Sequence, residues 1–575
     1  MSAYLHDAML LYVDRLVDWD AYYRARRGAG VDVAAERAAL RGVLDTCAEI
    51  AARIEPLARA GWANAARLED GKVRLPEHLQ TGYAWLRDAG LTALSISEKY
   101  GGYELPALVC NLVIQMVARA DAALMTLIGL QGGVAEDIER YAPEELRQRY
   151  LPRFTSGEVQ GAMDLTEPQA GSDLGAITTR ASEEGGRFFL DGQKIFITNG
   201  GCEVHLVLAR DADTFEQSRG TTRGLSLFLC PRTLPDGQPN RVTVERLEHK
   251  LWLHGSPTCA MRFERAEAWR IGRKGEGFRA MLDLMNNARL GVAAQGIGIA
   301  EAALEEAVRY ARERKQFGVP IGDQPLMKNM LARMLVSLEG ARALLYRCSA
   351  LIDRNRAIDG QLAAGDLSEA ERSELQRMRE HNAVQIRLLT PLAKYLATET
   401  CDDITRTAIQ VHGGIGFMAE TAVGKLHLDG IITTIYEGTS EIQVSFALKE
   451  IGKGALTVVW DELHKELDAL ADPRLGDLAK KIRGGIERIG EASLALIKDF
   501  NYALLSARGV AEMVLTVIVA TELLRQADVD PRRFDLAASW CSRKLGELDM
   551  FAARILENDV SRIERCERIV ELWQR

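Results

Sequence analysis

The stretch FFLDGQKIFI at residues 188–197 decides the fold class of this chain. Two short apolar runs flank Asp191-Gly192, a dipeptide typical of two-residue turns between antiparallel strands. The stretch therefore predicts a β-hairpin. Further strands are predicted soon after it, each bounded by Gly, Pro, Asn or Asp, at residues 204–209, 225–230, 242–247 and 259–263.

Apolar residues on either side of this region recur at helical spacing instead. We therefore predict an α+β chain, mainly α, with a compact β domain in the middle. Its predicted domains are an N-terminal helical domain (1–160), a middle β domain (161–275), a C-terminal helical bundle (276–450) and an additional helical domain (451–575).

Composition and charge exclude several classes of partner. The 575 residues carry a net charge of −9, and residues 451–575 contain 19 basic and 21 acidic side chains. We therefore expect no nucleic-acid or membrane partner. The apolar run Met513–Ala520 is too short to span a bilayer and predicts a buried helix.

The nine cysteines have no CxxC pair. Scattered cysteines of this kind are typical of reduced thiols, and no targeting segment is recognised at the N-terminus. We expect a cytoplasmic protein without a metal site. His249, Lys250 and His254 lack an evident third ligand, so we assign them a structural role.

One carboxylate, Glu437, stands in an otherwise uncharged run, ITTIYEGTS at residues 432–440. Loss of water among the neighbouring isoleucines and Tyr436 would raise the pKa of Glu437 into the range of a catalytic base. Gly438 allows backbone to approach a ligand closely. The alternative is a solvated loop glutamate beside a turn glycine.

Three loops have the composition of a site for a planar, phosphate-bearing ligand; they are residues 163–173, 194–201 and 410–414. In the second loop, Phe196 and Thr198 are two residues apart on a predicted strand and are expected to share a face. In the third, Gly413 and Gly414 offer backbone amides that could cradle a pyrophosphate.

Five motifs resemble those of the acyl-CoA dehydrogenase family in order and approximate spacing; they lie at residues 163–173, 196–201, 314–318, 410–414 and 436–440. The resemblance implies N-terminal helices, a middle β-barrel-like domain and a C-terminal four-helix bundle that hold FAD. The added residues 451–575 look like those of a longer subfamily that includes methylthiopropanoyl-CoA dehydrogenases, and they imply a homodimer.

The resemblance also implies a reaction. Glu437 would remove the α proton of an acyl-CoA while the β carbon passes hydride to flavin N5, giving the trans-2-enoyl-CoA of a β-oxidation step. Some relatives carry the base at the position of Ala288, which cannot serve here. An electron-transferring flavoprotein is the implied acceptor. The alternatives are an acyl-CoA oxidase that uses O2 and a DNA-associated flavoprotein of the same fold.

Individual roles follow from the matched positions. The resemblance assigns FAD contacts to Met163, Leu165, Thr166, Phe196, Thr198, Arg314, Phe317, Gln410, Gly413, Gly414, Thr439 and Glu441. It assigns substrate contacts to Ser172, Asn286, Arg289 and Gly438.

Overall fold

The computed structural model describes residues 4–365, 367–497 and 499–573, except for the side chains of residues 283 and 284. The chain forms two compact units. Unit 1 contains Met1–His6, Ala38–Ala302 and Phe417–Thr433. Unit 2 contains Asp7–Arg37, Ala303–Gly416 and Thr434–Arg575.

Helices dominate both units, as predicted. In chain order they are α1 (Asp7–Leu11), α2 (Trp19–Arg27), α3 (Val33–Gly61), α4 (Glu77–Asp88), α5 (Ala107–Ala120), α6 (Ala122–Tyr141), α7 (Glu144–Thr155), α8 (Phe215–Ser218), α9 (Gly277–Glu313), α10 (Pro325–Ala364), α11 (Glu369–His412), α12 (Ala422–Ile431), α13 (Ser440–Gly452), α14 (Ala455–Asp468), α15 (Gly476–Leu496), α16 (Phe500–Val529), α17 (Phe534–Leu556) and α18 (Arg562–Trp573).

The strands group in the predicted middle segment, with two short hairpins elsewhere. They are β1 (Arg67–Glu69), β2 (Lys72–Arg74), β3 (Gly161–Asp164), β4 (Arg180–Glu184), β5 (Arg187–Thr198), β6 (Val204–Asp211), β7 (Leu225–Pro231), β8 (Val242–Leu247), β9 (Thr258–Ile271), β10 (Lys315–Gln316) and β11 (Val319–Pro320).

The seven strands from β3 to β9 close into a barrel-like sheet. The pairing runs from β6 through β4, β5, β9 and β7 and returns to β6, while β3 adds to β6 and β8 adds to β9. Strand β6 is buried on both faces. Leu206 and Leu208 join a core that includes α6 and α7, whereas Val207 and Ala209 join a second core formed by the strands. This explains why β6 reads as a continuous apolar run rather than an alternating one.

The predicted hairpin at residues 188–197 is wrong, because β5 runs without a break through Asp191-Gly192. The turn lies earlier, at Gly185 and Gly186, which join β4 to β5. Both glycines have positive φ, 59° and 79°. A two-residue turn with positive φ at both positions matches the twist of the flanking strands, and Gly adopts it without steric cost.

Asp191 and Gly192 instead lie at a bulge between β5 and β9. Strand β9 has one extra residue there, Arg265, at a φ of 55°. The Asp191 carboxylate accepts a hydrogen bond from the Arg265 N–H at 2.8 Å. An added Cβ at Gly192 would lie 2.4 Å from Thr179 Oγ1. The Asp-Gly pair therefore serves a bulge and a close packing contact, which produce the same sequence signal as a turn.

In unit 2, α10 packs on α11 and α11 packs on α13, while α16 and α17 pack on α10. Trp540 of α17 lies against Gly340 of α10, where an added Cβ would be 2.3 Å from its ring. Residues 451–575 thus share a compact unit with the helices before them. The four predicted domains stay a prediction, since the units do not follow those boundaries.

Helix α16 contains the apolar run Met513–Ala520. By length and composition alone this helix could cross a membrane, but 67% of its most apolar window is buried in the protein. The core helix of a soluble domain can have the same length and apolar composition. The observed burial agrees with the predicted buried helix.

Candidate active site

The predicted site residues divide between the two units. Unit 1 contains Met163, Leu165, Thr166, Ser172, Phe196, Thr198, Asn286 and Arg289. Unit 2 contains Arg314, Phe317, Gln410, Gly413, Gly414, Glu437, Gly438, Thr439 and Glu441.

In unit 1, the first two predicted loops lie side by side. Met163 is in β3, and Leu165 directly after it is buried. The Thr166 carbonyl accepts a hydrogen bond from the Ile195 N–H of β5 at 2.9 Å. The structure therefore brings Thr166 next to the strand that carries Phe196 and Thr198.

A buried ion pair that the sequence reading did not identify anchors the first loop. Lys194 and Glu167 are 0% and 2% exposed, and Lys194 Nζ lies 2.9 Å from Glu167 Oε1. The same ammonium donates to the carbonyls of Leu165 and Leu208, each at 2.8 Å. All three of its donors are thus used, as a buried ammonium requires.

The Glu167 carboxylate also has hydrogen-bond donors in Thr178 and Thr179. It accepts hydrogen bonds from their backbone N–H groups at 2.7 and 3.0 Å, and from the Thr178 hydroxyl at 2.8 Å. Burial by itself would raise the pKa of Glu167, but the Lys194 charge and these donors outweigh it and hold the pKa at about 2. Glu167 is therefore ionised at neutral pH.

Phe196 is placed at a second bulge of β5. The register with β9 shifts between Lys194 and Ile197, and Phe196 has a φ of 59°. Its side chain is 61% exposed, whereas Ile197 is buried and Thr198 is partly buried. The prediction that Phe196 and Thr198 share a face assumed regular alternation, which the bulge interrupts. An exposed aromatic at positive φ is unusual and typical of functional positions.

Asn286 and Arg289 of α9 are brought together, as neighbours three residues apart on a helix should be. Arg289 is buried, and its Nη1 donates to Asn286 Oδ1 at 2.9 Å. Ser172 lies exposed in the connection between β3 and β4, and its predicted substrate contact stays a prediction.

The segment around His249, Lys250 and His254 has structural contacts. Lys250 donates to the Ser256 carbonyl, and the His254 carbonyl accepts from the Ala66 N–H at 3.0 Å. Burial lowers the pKa of Lys250 to about 8. Within the described part of the chain, no group of three His, Cys, Asp or Glu side chains has the arrangement of a metal site.

In unit 2, Glu437 and Gly438 form a turn directly before α13, with φ values of 56° and 95°. Glu437 is partly buried and Ile435 is 50% exposed. Ile435 therefore does not shield the carboxylate as the sequence reading assumed, because its side chain is itself half in water. A glutamate at positive φ is nevertheless a rare conformation that neighbouring contacts must stabilise.

Two fully buried side chains outside the predicted set hold this turn. Gln443 Nε2 donates to the carbonyls of Glu437 and Gly438 at 2.9 and 3.0 Å. Lys394 Nζ of α11 donates to the Gly438 carbonyl at 2.9 Å. Both carbonyl groups on the C-terminal side of Glu437 are therefore fixed in direction.

The first turn of α13 is tied to neighbouring helices. The Ser440 hydroxyl donates to Glu399 Oε1 of α11 at 2.6 Å, and Glu441 Oε1 lies 3.1 Å from Arg508 Nη1 of α16. Thr439 is the N-cap residue of α13, although its side chain makes no capping hydrogen bond. Glu441 is thus engaged in an ion pair within this unit, and its predicted flavin contact stays a prediction.

Strands β10 and β11 form a small hairpin. Arg314 directly precedes β10, and Phe317 lies in the turn between the two strands. Phe317 has a φ of 54° and Gly318 a φ of 85°, so the two form a turn with positive φ at both positions. Asn or Gly normally takes the place that Phe317 occupies. Phe317 is 93% exposed and Arg314 is exposed, so both side chains are accessible to a ligand or to a second chain.

The segment Gln410–Gly414 forms the end of α11 and the start of a 3₁₀ turn. Gly413 has a φ of 63°, and its N–H donates to the Gln410 and Ile409 carbonyls. The predicted row of bare amides is therefore wrong at Gly413, because helix capping uses its N–H. An added Cβ at Gly413 or Gly414 would meet nothing within 4 Å, which leaves this backbone open to close approach.

Three models of known protein domains match most of the chain. Residues 45–158 match the model of the acyl-CoA dehydrogenase N-terminal domain, residues 162–266 the middle domain and residues 275–452 the C-terminal domain.

Individual relatives agree with these matches. A 3-methylmercaptopropionyl-CoA dehydrogenase from Ruegeria pomeroyi is 31% identical to this chain, over 95% of this chain and 95% of the relative. The caffeyl-CoA reductase–Etf complex subunit CarC from Acetobacterium woodii is 34% identical over 52% of this chain and 70% of its own. The structure of an acyl-CoA dehydrogenase complexed with FAD from Bacillus anthracis shares the fold, with a TM-score of 0.71 and 23% identity over 84% of this chain and 82% of that chain.

These matches confirm the predicted family resemblance and the predicted α+β architecture. They also confirm the predicted enzyme class, an oxidoreductase that acts on acyl-CoA, and FAD as the cofactor of the family. The homodimer and the cytoplasmic location remain predictions.

Proposed function

We propose, since this chain belongs to the acyl-CoA dehydrogenase family, that it converts an acyl-CoA thioester to the trans-2-enoyl-CoA with Glu437 as the base. The observation that carries the proposal is the turn at Glu437. Glu437 has a φ of 56° beside Gly438 at 95°, and two fully buried donors, Gln443 and Lys394, bond to the backbone carbonyls of this turn. Such a strained residue persists only where its surroundings impose it, and positions of this kind are concentrated at active sites.

FAD, when bound, supplies the acceptor for the hydride that leaves the β carbon. Each unit, taken by itself, contains residues with properties that contacts with FAD require. Phe196 and Phe317 expose aromatic faces that a planar ring system could cover, and Gly413 and Gly414 leave backbone open for phosphate groups. Thr166 and Thr198 add hydroxyl donors in unit 1. The chain therefore fits the cofactor that its family uses.

The protein's own part is proton transfer and orientation. In the proposed reaction Glu437 accepts the α proton, and its backbone N–H binds the thioester carbonyl oxygen as negative charge develops there. General bases of this kind contribute roughly 10²- to 10⁴-fold to rate. Glu437→Gln keeps the shape of the side chain but removes its ability to accept the proton, so this variant tests proton abstraction alone.

The acyl group and the electron acceptor are further parts of the proposal. The Ruegeria pomeroyi relative is named for a methylmercaptopropionyl thioester, so this compound belongs in any substrate panel. We propose an electron-transferring flavoprotein as acceptor, in line with the Etf complex that contains the Acetobacterium woodii relative. A cytoplasmic homodimer completes the proposal.

The experiment is anaerobic mixing of the FAD-loaded protein with short, branched, long and methylthio acyl-CoA thioesters while the visible flavin absorbance is followed. We expect one class to bleach the flavin, and Glu437→Gln to slow bleaching by about 10²- to 10⁴-fold. Glu450→Gln, which changes a carboxylate on the helix that follows Glu437, α13, is the matched control and should bleach at the normal rate.

Each alternative predicts a different result. Normal bleaching by Glu437→Gln would overturn the base assignment. Rapid reoxidation by O2 of the flavin that the substrate has reduced would indicate an oxidase. An absence of bleaching with every thioester, together with tight binding of duplex DNA, would favour the DNA-associated flavoprotein.

A further inference from the structure

The turn at Glu437 and Gly438 lies between two helical segments and belongs to neither of them. A 3₁₀ turn at Ile432–Thr434 precedes it and α13 follows it. An L-residue in the left-handed region costs roughly 1–2 kcal/mol, so contacts from elsewhere must select this backbone at Glu437.

Gln443 provides one such contact from the first turns of α13. Its amide nitrogen donates to two successive carbonyls, those of Glu437 and Gly438. This fixes the orientation of the amide, because its oxygen in that place would face two acceptors. An added Cβ at Gly438 would lie 2.7 Å from this nitrogen. A side chain at 438 would therefore push the Gln443 amide away from its position against both carbonyls.

Lys394 provides the second contact from the middle of α11. It is fully buried, and its ammonium lies 2.9 Å from the Gly438 carbonyl oxygen. That oxygen accepts two hydrogen bonds, one from a neutral amide and one from a charged donor. Charge-assisted hydrogen bonds are about twice as strong as neutral ones, so the lysine is the firmer of the two restraints.

We propose that Lys394 and Gln443, the carbonyl clamp, are positioning residues that set the direction of the Glu437 carboxylate. The inference rests on the proposed function, in which Glu437 is the base. Because peptide units are planar, fixing the carbonyls of residues 437 and 438 fixes the two peptide planes that follow the Glu437 Cα. The direction in which the Cα–Cβ bond of Glu437 leaves the backbone is then fixed as well.

The clamp predicts a loss of rate rather than of affinity. Displacement of a catalytic group by about 1 Å can cost about 10²-fold in rate, while the surfaces that bind acyl-CoA stay in place. We therefore expect Lys394→Met and Gln443→Met, which keep side-chain length but remove the donors, to lower the rate of flavin reduction by about 10- to 100-fold. The dissociation constant for acyl-CoA should change less than about threefold.

The test is stopped-flow flavin reduction with the acyl-CoA that bleaches the wild-type protein, as the protiated and the α,α-dideuterated compound. A clamp that serves proton abstraction should leave the deuterium isotope effect in the two variants at least as large as in the wild type. Thr398→Val is the matched control, because Thr398 is equally buried one turn further along α11 and its hydroxyl donates to the Lys394 and Tyr395 carbonyls of its own helix.

Two results would overturn the inference. One is flavin reduction within threefold of the wild type by both variants with FAD bound. The other is a slow rate in both with no isotope effect, which would indicate a general packing defect. If Lys394→Met does not retain FAD, Gln443→Asn, which is one methylene too short to reach both carbonyls, replaces it. Failure of the proposed function is distinguishable, since it appears in the wild type and in Glu437→Gln.

Discussion

Each unit uses a buried lysine to hold a loop, but the two lysines have different targets. In unit 1, Lys194 pairs with the carboxylate of Glu167 and with two backbone carbonyls. In unit 2, Lys394 donates to the backbone carbonyl of Gly438. Removing Lys194 leaves a buried charge uncompensated, whereas removing Lys394 frees the direction of a turn. We therefore expect the first arrangement to matter for stability and the second for the geometry of the proposed reaction.

The largest expected effect is that of Lys194→Met on unfolding. Breaking one side of a buried ion pair costs about 3–5 kcal/mol, and we expect a loss of this size in the free energy of unfolding measured with urea. Lys99→Met removes a lysine from an exposed ion pair with Glu144 in the same unit and should cost less than about 1 kcal/mol. Equal losses in Lys194→Met and Lys99→Met would contradict the larger contribution that we assign to the buried ion pair.

The double variant Lys194→Met/Glu167→Gln sharpens this result. With both charges gone, no carboxylate remains buried without its partner, so much of the lost stability should return. A double variant as unstable as the sum of the single variants would show that the pair acts through packing.

Acid should weaken unit 1 through Glu167. Its pKa is about 2 in the folded protein and about 4.3 in an unfolded chain, so its stabilisation is complete above pH 4.3 and is lost as the pH falls towards 2. The difference amounts to about 3 kcal/mol. The free energy of unfolding in urea, measured from about pH 7 down to about pH 2.5, should therefore fall less steeply with pH for Glu167→Gln than for the wild type.

Gly438→Ala should have a smaller effect on stability but a clear one on flavin reduction. The new Cβ meets Gln443 and the backbone has a φ of 95°, so we expect a loss of about 1–2 kcal/mol. Gly452→Ala, at the end of the following helix α13 and in open space, is the control and should be neutral or slightly stabilising. An unchanged reduction rate in Gly438→Ala would separate the turn from catalysis.

The smallest expected effects come from two neutral hydroxyl donors, one in each unit. Thr178→Val removes the hydroxyl bonded to Glu167, and Ser440→Ala removes the hydroxyl bonded to Glu399. Each should cost about 1 kcal/mol of unfolding free energy. Thr178→Val should leave flavin reduction unchanged, while Ser440→Ala should slow it several-fold because Ser440 adjoins the turn. The reverse pattern would contradict the assignment of stability to one region and geometry to the other.

The sequence located most strands of unit 1, because strand period and turn residues are local properties. It misplaced the hairpin turn, since Asp191-Gly192 and Gly185-Gly186 carry the same signal. Only the pairing of β4 with β5 and the bulge at Arg265 distinguish them. The sequence also identified Glu437 as an unusual carboxylate but not its backbone conformation.

The sequence by itself determined the fold class, the family and the candidate base, because each depends on residue types that are close together along the chain. Only the tertiary structure identified Lys194 with Glu167 and Lys394 with Gly438, partners that are 27 and 44 residues apart. A lysine in a helix or strand pattern is ordinarily assigned to a solvated face. Whether it is buried, and which carbonyl or carboxylate it meets, depends on how distant segments pack, since a buried ammonium is stable only where folding brings acceptors to it.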